Sequence, residues 1–478
     1  MQHVKMKKFL FMDDWTLEST GRFTRQYGQA AKVSDQPLFV PDQRDYEYKN
    51  CTYATVMFQP EKKKYTLWYG TSNIYDANTR AIKYLCQVVS ADGFNWTRPD
   101  LDVMPGTNIV MTPADNPMGS SIILDRFDPD YPYKLLMRPK YTPAVVGYRS
   151  KDGIHWQKVS EEPLIQGNSD CKVGLYQDPD TGRYQALFRL NKGHRKTWTS
   201  ESTDFLNWSR PTLIIEPDLA HGPQVQIYGM QAACYGSFVI GQSPMYRTET
   251  DDLHWAKMRG TMDIETAWSR GSSCWHWLSP NHCLIGLGET GTWDGGMIHP
   301  TTAPVCLKDE IRFYYSGSSF PHHETGRIAS EPQGIGLATL RPDGFVALAC
   351  GAEPATLITR PFVIRTPEVY VNADSSHGSL RVEIQDAMTG KPIPGYSLDD
   401  CIPFSGDSIA QPIAWKPAAT RGPIDKRAIR VRVEARDSLL YSLFFPNGND
   451  PEKYWVFDEI GCVDPVRDIG DRDYFMQV

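Results

Sequence analysis

The sequence predicts an all-β protein, with a five-bladed β-propeller over residues 1–350 and a β-sandwich over residues 351–478. Three observations predict this fold. A turn phrase recurs about every 50 residues, pairs of apolar strands lie between its copies, and the pattern changes after Arg341-Pro-Asp-Gly. No segment has the periodicity of an amphipathic helix.

The recurring phrase ends in a tryptophan. Ser-x-Asp-Gly-x-x-Trp or a close variant ends at Trp96, Trp156 and Trp208, and a shorter form ends at Trp255, so the copies lie 60, 52 and 47 residues apart. The aspartate of such a phrase accepts backbone N–H groups in a tight turn, the glycine takes a positive φ, and the tryptophan fills the gap between sheets. We therefore interpret the phrase as structural and not catalytic.

Five strand pairs predict five blades. They are Tyr53–Phe58 with Tyr65–Tyr69, Ser121–Asp125 with Tyr133–Arg138, Val173–Asp178 with Tyr184–Arg189, Val225–Met230 with Phe238–Gly241, and Met297–Pro300 with Ile311–Tyr315. Turn-forming residues such as Asp178-Pro-Asp-Thr-Gly182 separate the two strands of a pair, as in hairpins. After residue 350, alternating segments such as Leu380–Gln385 and Ile429–Glu434 predict the sandwich.

Composition excludes several classes of partner. The chain has 478 residues, 41% of them apolar and 22% charged, which is typical of a soluble globular protein. The net charge of −7 and the lack of a basic stripe exclude nucleic acid as a partner. No apolar run reaches the ~18–20 residues of a membrane span, so we expect no membrane partner. Aromatic residues, at 12%, suit strand packing and stacking on sugar rings.

The cysteines and the first residues predict the compartment. Ten cysteines occur without CxxC pairs, so we expect mostly free thiols and a reducing environment. Only four apolar residues precede Asp13, too few for a secretory signal, which predicts a cytoplasmic protein; a signal trimmed from the sequence is the alternative. The Cys274 and His276 spacing matches no usual zinc pattern, and we expect no metal and no cofactor. The oligomeric state stays open.

Acidic residues precede the innermost strands of several predicted blades. These strands converge on a central funnel, so the acids are candidate catalytic groups: Asp170 and Asp294 first, Glu47 third, and Glu289 in reserve. Carboxylates around one axis repel, so their pKa values separate, and glycoside cleavage needs one protonated and one ionised carboxyl. A turn or capping role is the alternative for each of them.

A second group of residues is expected to contact a sugar. Arg138 and Arg189 end the second strands of two blades, where they can hold hydroxyl or carboxylate groups or form ion pairs between blades. Trp293 and His299 lie in or beside a glycine-rich loop that lets backbone approach a ligand closely. Asp115 and His322 complete the predicted substrate-binding residues.

The chain resembles bacterial proteins related to glycoside hydrolase families 32 and 43. The phrases that carry the resemblance are Leu10-Phe-Met-Asp-Asp-Trp15, the repeated Ser-x-Asp-Gly-x-x-Trp, Tyr228-Gly-Met230, Trp293-Asp-Gly-Gly-Met-Ile298, Arg341-Pro-Asp-Gly-Phe345 and Gly378-Ser-Leu-Arg-Val382. The resemblance implies a five-bladed propeller, often with a C-terminal sandwich. It also implies three funnel carboxylates that hydrolyse fructofuranosides, arabinofuranosides or xylosides. The Asn-Asp-Pro phrase that normally carries the first carboxylate is absent, and Glu47 occupies the corresponding place.

These observations predict a glycoside hydrolase that acts on an oligosaccharide or a glycoside. Two alternatives stay open. One is a phosphorylase in which Arg138, Arg189, His299 and His322 bind phosphate, and the other is a carbohydrate-binding propeller without catalysis. The carboxyl separation that distinguishes retention from inversion is not contained in the sequence. Sugar identity and linkage stay open for the same reason.

Overall fold

The computed structural model describes residues 7–42, 46–48, 51–72, 83–115, 117, 119–139, 143–167, 171–190, 194–249, 259–271, 274–322, 324, 333–364, 366–424 and 427–445. Within them the chain is all-β, as predicted, and its helical segments are two single 3₁₀ turns, Pro60–Lys62 and Leu219–His221. The strands form six hydrogen-bonded sheets, in which antiparallel pairing dominates.

Four short strands come first. They are β1 (Lys7–Leu10), β2 (Leu17–Gly21), β3 (Thr24–Tyr27) and β4 (Ala31–Lys32). The next 23 strands form five successive antiparallel units that follow the chain. Four of the five predicted strand pairs are present as hydrogen-bonded neighbours. The pair predicted between Val225–Met230 and Phe238–Gly241 is wrong, because the nearer residues 232–235 form the hairpin with Phe238–Gly241 and Val225–Ile227 pairs with residues 245–247.

Units I to III are separate sheets. Unit I contains β5 (Thr52–Gln59), β6 (Lys64–Ser72), β7 (Lys83–Ser90) and β8 (Ile109–Met111). Unit II contains β9 (Ser121–Leu124), β10 (Tyr133–Met137), β11 (Ala144–Ser150), β12 (Trp156–Lys158) and β13 (Ile165–Gln166). Unit III contains β14 (Gly174–Gln177), β15 (Tyr184–Phe188), β16 (Thr197–Ser202) and β17 (Thr212–Ile215).

Units IV and V are halves of one eleven-stranded sheet, joined by a parallel bridge between Met262 and Met297. Unit IV contains β18 (Val225–Ile227), β19 (Gln231–Tyr235), β20 (Phe238–Thr248), β21 (Gly260–Ser269), β22 (Trp275–Trp277) and β23 (Cys283–Ile285). Unit V contains β24 (Met297–Pro300), β25 (Val305–Cys306), β26 (Ile311–Ser318) and β27 (Gly334–Leu340). Strand β4, from the start of the chain, pairs with β27 and completes unit V.

The last eight strands form two further sheets. They are β28 (Val346–Cys350), β29 (Ala355–Thr359), β30 (Phe362–Ile364), β31 (Tyr370–Asp374), β32 (Ser379–Asp386), β33 (Asp407–Pro412), β34 (Arg427–Arg436) and β35 (Ser438–Phe445). N-terminal strands join them: β1 pairs with β35, β3 with β28 and β2 with β29. This pairing differs from the predicted division at residue 350, because residues 7–27 belong to the C-terminal sheets. Antiparallel partners more than 300 residues apart leave no local signal.

The five units surround a common cavity of about 80 Å³. Its walls come from β5, β9, β14 and β19 and from the segment around Pro304, so every unit contributes. Neighbouring units also contact one another in cyclic order: β5 with β9, β9 with β14, β14 with β19, β20 with β24, and β24 with β5. Separate apolar clusters fill the gaps between successive units.

The three recurring turns that the structure describes have the predicted geometry, and the copy that ends at Trp255 lies outside the described residues. The carboxylate of Asp92 accepts the N–H groups of Phe94 and Asn95 at 2.8 Å, and Gly93 has φ +80°. The turn also joins units, because the hydroxyl of Tyr314 in unit V donates to the carbonyl of Gly93 at 3.0 Å. In the next copy, the indole N–H of Trp68 in unit I donates to the carbonyl of Gly153 in unit II at 2.8 Å. The turns therefore stabilise the packing of one unit on the next.

Candidate functional site

Polar groups cross the common axis where the first strands begin. Lys172, just before β14, donates its ammonium to the carbonyl of Ala54 in unit I at 2.6 Å. The hydroxyl of Ser121 in unit II donates to the side-chain oxygen of Gln231 in unit IV at 3.0 Å. These side chains are buried, so hydrogen bonds replace their contacts with water. They form a rigid floor between units I to IV.

Aromatic and basic side chains gather beside this floor, in a group we call the central cluster. It consists of Tyr53, Lys172, Arg189, Arg195, Tyr228, Tyr246, His299 and His322. Units I, III, IV and V each contribute to it. Several members are only half-buried, so the cluster is partly exposed to solvent.

The guanidinium groups of the cluster lie on its tyrosines. Arg189 lies 4.6 Å from the ring centre of Tyr228, and Arg195 lies 5.9 Å from the same ring. Arg195 also lies 5.0 Å from the ring centre of Tyr246. Cation–π contacts hold the planar groups in place while the edges of the guanidinium groups keep their hydrogen-bond donors. The side-chain oxygen of Gln226 accepts one of these N–H groups of Arg195 at 2.7 Å.

Two histidines complete the cluster. His322 bridges two tyrosines, since its Nδ1 lies 3.0 Å from the hydroxyl of Tyr246 and its Nε2 lies 3.4 Å from that of Tyr228. The ring of His299 lies 5.6 Å from that of Tyr228. Burial, together with the positive charges of His322, Lys172 and Arg189, lowers the pKa of His299 to about 3, so His299 is neutral at pH 7.

Tyr53 has an unusual backbone conformation. Its φ is +52°, in the left-handed region that non-glycine residues rarely adopt, and the pairing of β5 with β6 shifts register at the same point. The ring of Tyr53 lies 5.9 Å from that of His299. Strained residues of this kind concentrate at functional sites, where surrounding structure maintains them. The strain therefore supports a ligand-binding role for this end of the ring.

Glu47, predicted as a catalytic acid, lies in a buried ion pair. Its carboxylate accepts two hydrogen bonds from Arg98, at 2.7 and 2.9 Å, and one from the hydroxyl of Tyr69 at 2.8 Å. Its side chain is fully buried. Burial raises its pKa and the nearby carboxylate of Asp42 adds a smaller rise, while hydrogen bonds from Arg98 and Tyr69 oppose the shift. The geometry indicates that Glu47 anchors the segment that leads into β5.

Asp294 has the same arrangement in unit V. It accepts hydrogen bonds from the ammonium of Lys32 on β4 at 2.6 Å and from the hydroxyl of Tyr315 at 2.9 Å. Trp293 stacks on Tyr315, with ring planes 16° apart, and packs against two glycines of the sheet. Glu289 is exposed on the adjoining loop. These residues hold the loop before β24 against the sheet.

The remaining predicted residues are distributed as follows. Arg189, His299 and His322 belong to the central cluster. Asp115 accepts a hydrogen bond from the hydroxyl of Tyr148 at 3.0 Å, and Arg138 is buried at the end of β10. Asp170 lies outside the described residues, so its catalytic role stays a prediction.

The sequence reasoning missed Lys172, Arg195 and the three tyrosines of the cluster. Lys172 has a signal in the sequence, because it immediately precedes a predicted innermost strand, as the candidate acids do. Tyr228 belongs to one of the phrases that carry the family resemblance. Arg195 and Tyr246 have no such signal, because the distances that join them to the cluster are set by the tertiary fold.

Among the described residues, no group of three or more His, Cys, Asp or Glu side chains could hold a metal ion. Over the same residues, no helix is long and apolar enough to cross a membrane. Of the cysteines that the structure describes, eight are free thiols: Cys51, Cys86, Cys171, Cys234, Cys274, Cys283, Cys350 and Cys401.

Comparison with known proteins gives structural likenesses only. No family model matches the sequence, and no curated protein matches it. The resemblance to glycoside hydrolase families 32 and 43 therefore stays a prediction.

Several solved structures of carbohydrate-active proteins are similar to this chain. One is an N-acetylgalactosamine deacetylase from F. plautii in complex with blood group B trisaccharide, with 14% identity, a TM-score of 0.45, and coverage of 67% of this chain and 96% of that one. Another is a β-1,2-mannobiose phosphorylase from Listeria innocua, with 12% identity, a TM-score of 0.46, and coverage of 66% and 97%. A third is an α-L-arabinofuranosidase from Podospora anserina, with 13% identity, a TM-score of 0.43, and coverage of 68% and 99%. At such values the function has to be inferred from the residues of this chain.

Proposed function

We propose that units I to V form a five-bladed β-propeller and that the two remaining sheets form a β-sandwich. The cyclic contacts between units and the cavity lined by all five support the propeller. Strand β4 would close the ring by completing unit V. A single apolar cluster contains side chains of both C-terminal sheets and of units IV and V, which supports a sandwich packed on the propeller.

The function we propose is the cleavage of a glycosidic bond at the central cluster. The observation that carries the proposal is the convergence of tyrosines, guanidiniums and histidines from four units in one cluster that is partly exposed to solvent. Tyrosine rings stack on the apolar faces of sugars, and guanidinium and imidazole groups hydrogen-bond to their oxygens. The strained backbone of Tyr53 at the same place adds support.

Hydrolysis is the first reaction we propose. It needs two carboxyl groups at the scissile bond. Glu47 and Asp294 are held by Arg98 and Lys32, respectively. We therefore keep Asp170 as the predicted catalytic acid, since it precedes Lys172 of the cluster by two residues in sequence.

Phosphorolysis is the second reaction, and the basic character of the cluster favours it. Phosphate carries two negative charges and needs several donors in a fixed arrangement, which Arg189 and Arg195 can provide. A phosphorylase would use phosphate in place of water to attack the sugar.

The experiment is a measurement of product release from a panel of furanosides and pyranosides, with and without phosphate. We expect turnover that Arg195→Gln and Asp170→Asn each reduce at least 100-fold. Glu353→Gln, at an exposed carboxylate that pairs with Arg22 and belongs to none of the candidate site residues, is the matched control and should keep full activity. Turnover that needs phosphate would select the phosphorylase. Binding without turnover on the whole panel would favour the carbohydrate-binding alternative over either reaction.

A further inference from the structure

The central cluster holds basic groups unusually close together. Arg189 and Arg195 share the ring of Tyr228, and the positive charge of Arg189 lowers the pKa of Arg195 in addition to desolvation. Repulsion between like charges in a poorly solvated place costs free energy. A structure that maintains this arrangement is suited to a ligand that carries the opposite charge.

Lys172 and His299 extend the basic surface. Lys172 is 5% exposed, and burial lowers the pKa of its ammonium well below the ordinary value. The positive charges of His322, Lys172 and Arg189 contribute to the lowered pKa of His299. An anion beside these groups would favour their charged forms, so its binding would take up protons.

The tyrosines of the cluster restrict the kind of anion. Tyr53, Tyr228 and Tyr246 place aromatic rings directly beside the basic groups, with Tyr53 and Tyr228 only half-buried. A small inorganic anion would contact the guanidiniums and leave these rings unused. A sugar that carries a charged group would use both, because its ring can stack while its oxyanion accepts hydrogen bonds.

From this geometry we infer that the substrate is an acidic sugar, with a carboxylate or ester-linked oxyanion bound by Arg189 and Arg195 and its ring held by the tyrosines of the central cluster. The inference rests on the proposed function of the same site. The shared chemistry is the oxyanion, and its two sources are a group on the sugar itself and free inorganic phosphate.

The test is calorimetric titration of the full chain with matched pairs of ligands. Galactose is compared with galacturonate, and glucose with glucuronate and glucose 6-sulfate, with inorganic phosphate as a separate arm. We expect at least one acidic sugar to bind ten-fold or more tightly than its neutral counterpart. Its affinity should fall as pH rises, because Lys172 and His299 lose the protons that the anion recruits. Titrations in buffers of different ionisation enthalpy should show net proton uptake.

Variants locate the binding. Arg195→Gln should remove the preference for the acidic sugar, and Arg195→Lys, which keeps the charge but loses the planar fork, should retain only part of it. Arg183→Gln is the control, since Arg183 is an exposed arginine whose guanidinium pairs with Glu201 outside the cluster. Melting curves verify that each variant is folded, and Arg195 is suitable because it is only half-buried.

Three outcomes would overturn the inference. The first is equal affinity for the acidic and the neutral sugar of every pair. The second is binding of inorganic phosphate but of none of the sugars. The third is a preference for the acidic sugar that Arg195→Gln leaves unchanged. Turnover separates this inference from the proposed function. If acidic sugars bind at the cluster but no glycoside of them is cleaved, recognition of an acidic sugar is retained and the proposed glycoside cleavage is refuted. Cleavage of neutral glycosides without any acidic preference would do the reverse.

Discussion

The ion pair of Glu47 with Arg98 allows the structural and catalytic roles of a predicted active-site acid to be separated. Glu47→Gln removes the charge and keeps the shape. The carboxylate is fully buried and accepts three hydrogen bonds, while the side chain of Arg98 is 19% exposed. Breaking a buried pair costs about 3–5 kcal/mol, because the remaining charge is left buried. Since Arg98 keeps some solvent and donates to the carbonyl of Val40, we expect about 3 kcal/mol.

The assay is urea unfolding at pH 7, with the slope held common to the variants. Arg98→Met should be similarly destabilising, and the double variant should lose less than the sum of the two by about 2 kcal/mol. Glu289→Gln, on an exposed loop, should change stability by no more than about 0.5 kcal/mol. Folded Glu47→Gln protein should retain its ligand affinity and turnover. A variant of wild-type stability that has lost turnover would refute the structural role and restore Glu47 as a catalytic acid.

Four further predictions concern turns, strain and pH. Gly153→Ala places a Cβ 2.9 Å from the ring of Trp68 at a residue with φ +79°. Gly106→Ala is its control, because Gly106 has φ +80° but open space, and it should lose only about 1 kcal/mol of unfolding free energy in urea. Gly153→Ala should lose more, and equal losses would contradict the packing argument. Tyr53→Asn should stay folded, because asparagine tolerates a positive φ, and should lose sugar affinity in calorimetry. Tyr53→Val should lose the affinity and also unfold at a lower urea concentration. A Tyr53→Val protein more stable than Tyr53→Asn would remove the strain argument. The pKa of His299 is lowered to about 3, so the unfolded chain binds the extra proton below about pH 6.5. Wild-type protein should therefore lose more stability than His299→Gln between pH 6.5 and 3, and parallel curves would count against the burial. Hydrogen bonds from His155, Ile154 and Ser150 lower the pKa of Asp152 to about 2. The stabilising effect of its carboxylate is therefore complete above about pH 4 and is lost as pH falls towards 2. The unfolding curves of wild type and Asp152→Asn should converge near pH 2.

Local interactions explain why much of the fold could be predicted from sequence. In the Ser-x-Asp-Gly-x-x-Trp turns, Ser150, Asp152 and Gly153 bond to one another within three residues, so the phrase itself specifies the turn. The strand pairs are hairpins whose partners follow closely in sequence, as in β14 with β15. The pairing of the N-terminal strands has no such local signal, since Lys7 pairs with Phe445.

The candidate site was predicted only in part, because the sequence does not show in which direction a side chain points. Reading the residue before each innermost strand found polar side chains but not where they point. The carboxylates of Glu47 and Asp294 each accept a hydrogen bond from a tyrosine of their own unit, Tyr69 on β6 and Tyr315 on β26. Unit IV has a comparable anchor, in which His221 contacts the buried Glu265 at 3.0 Å. The recurrence that suggested a shared active site is therefore also explained by a shared way of fixing the connecting segments.

The sequence by itself determined the all-β class, the recurring turns and four of the five strand pairs, because the contacts that stabilise them lie within a few tens of residues. The tertiary structure decided which polar side chains join the central cluster and which form ion pairs away from it. That choice depends on partners far away in the chain: Lys32 reaches Asp294 across 262 residues, and Lys172 reaches Ala54 across 118. Charge and hydrogen bonding in a buried place are properties of such assembled surroundings, so the basic cluster became visible only when the units were brought together.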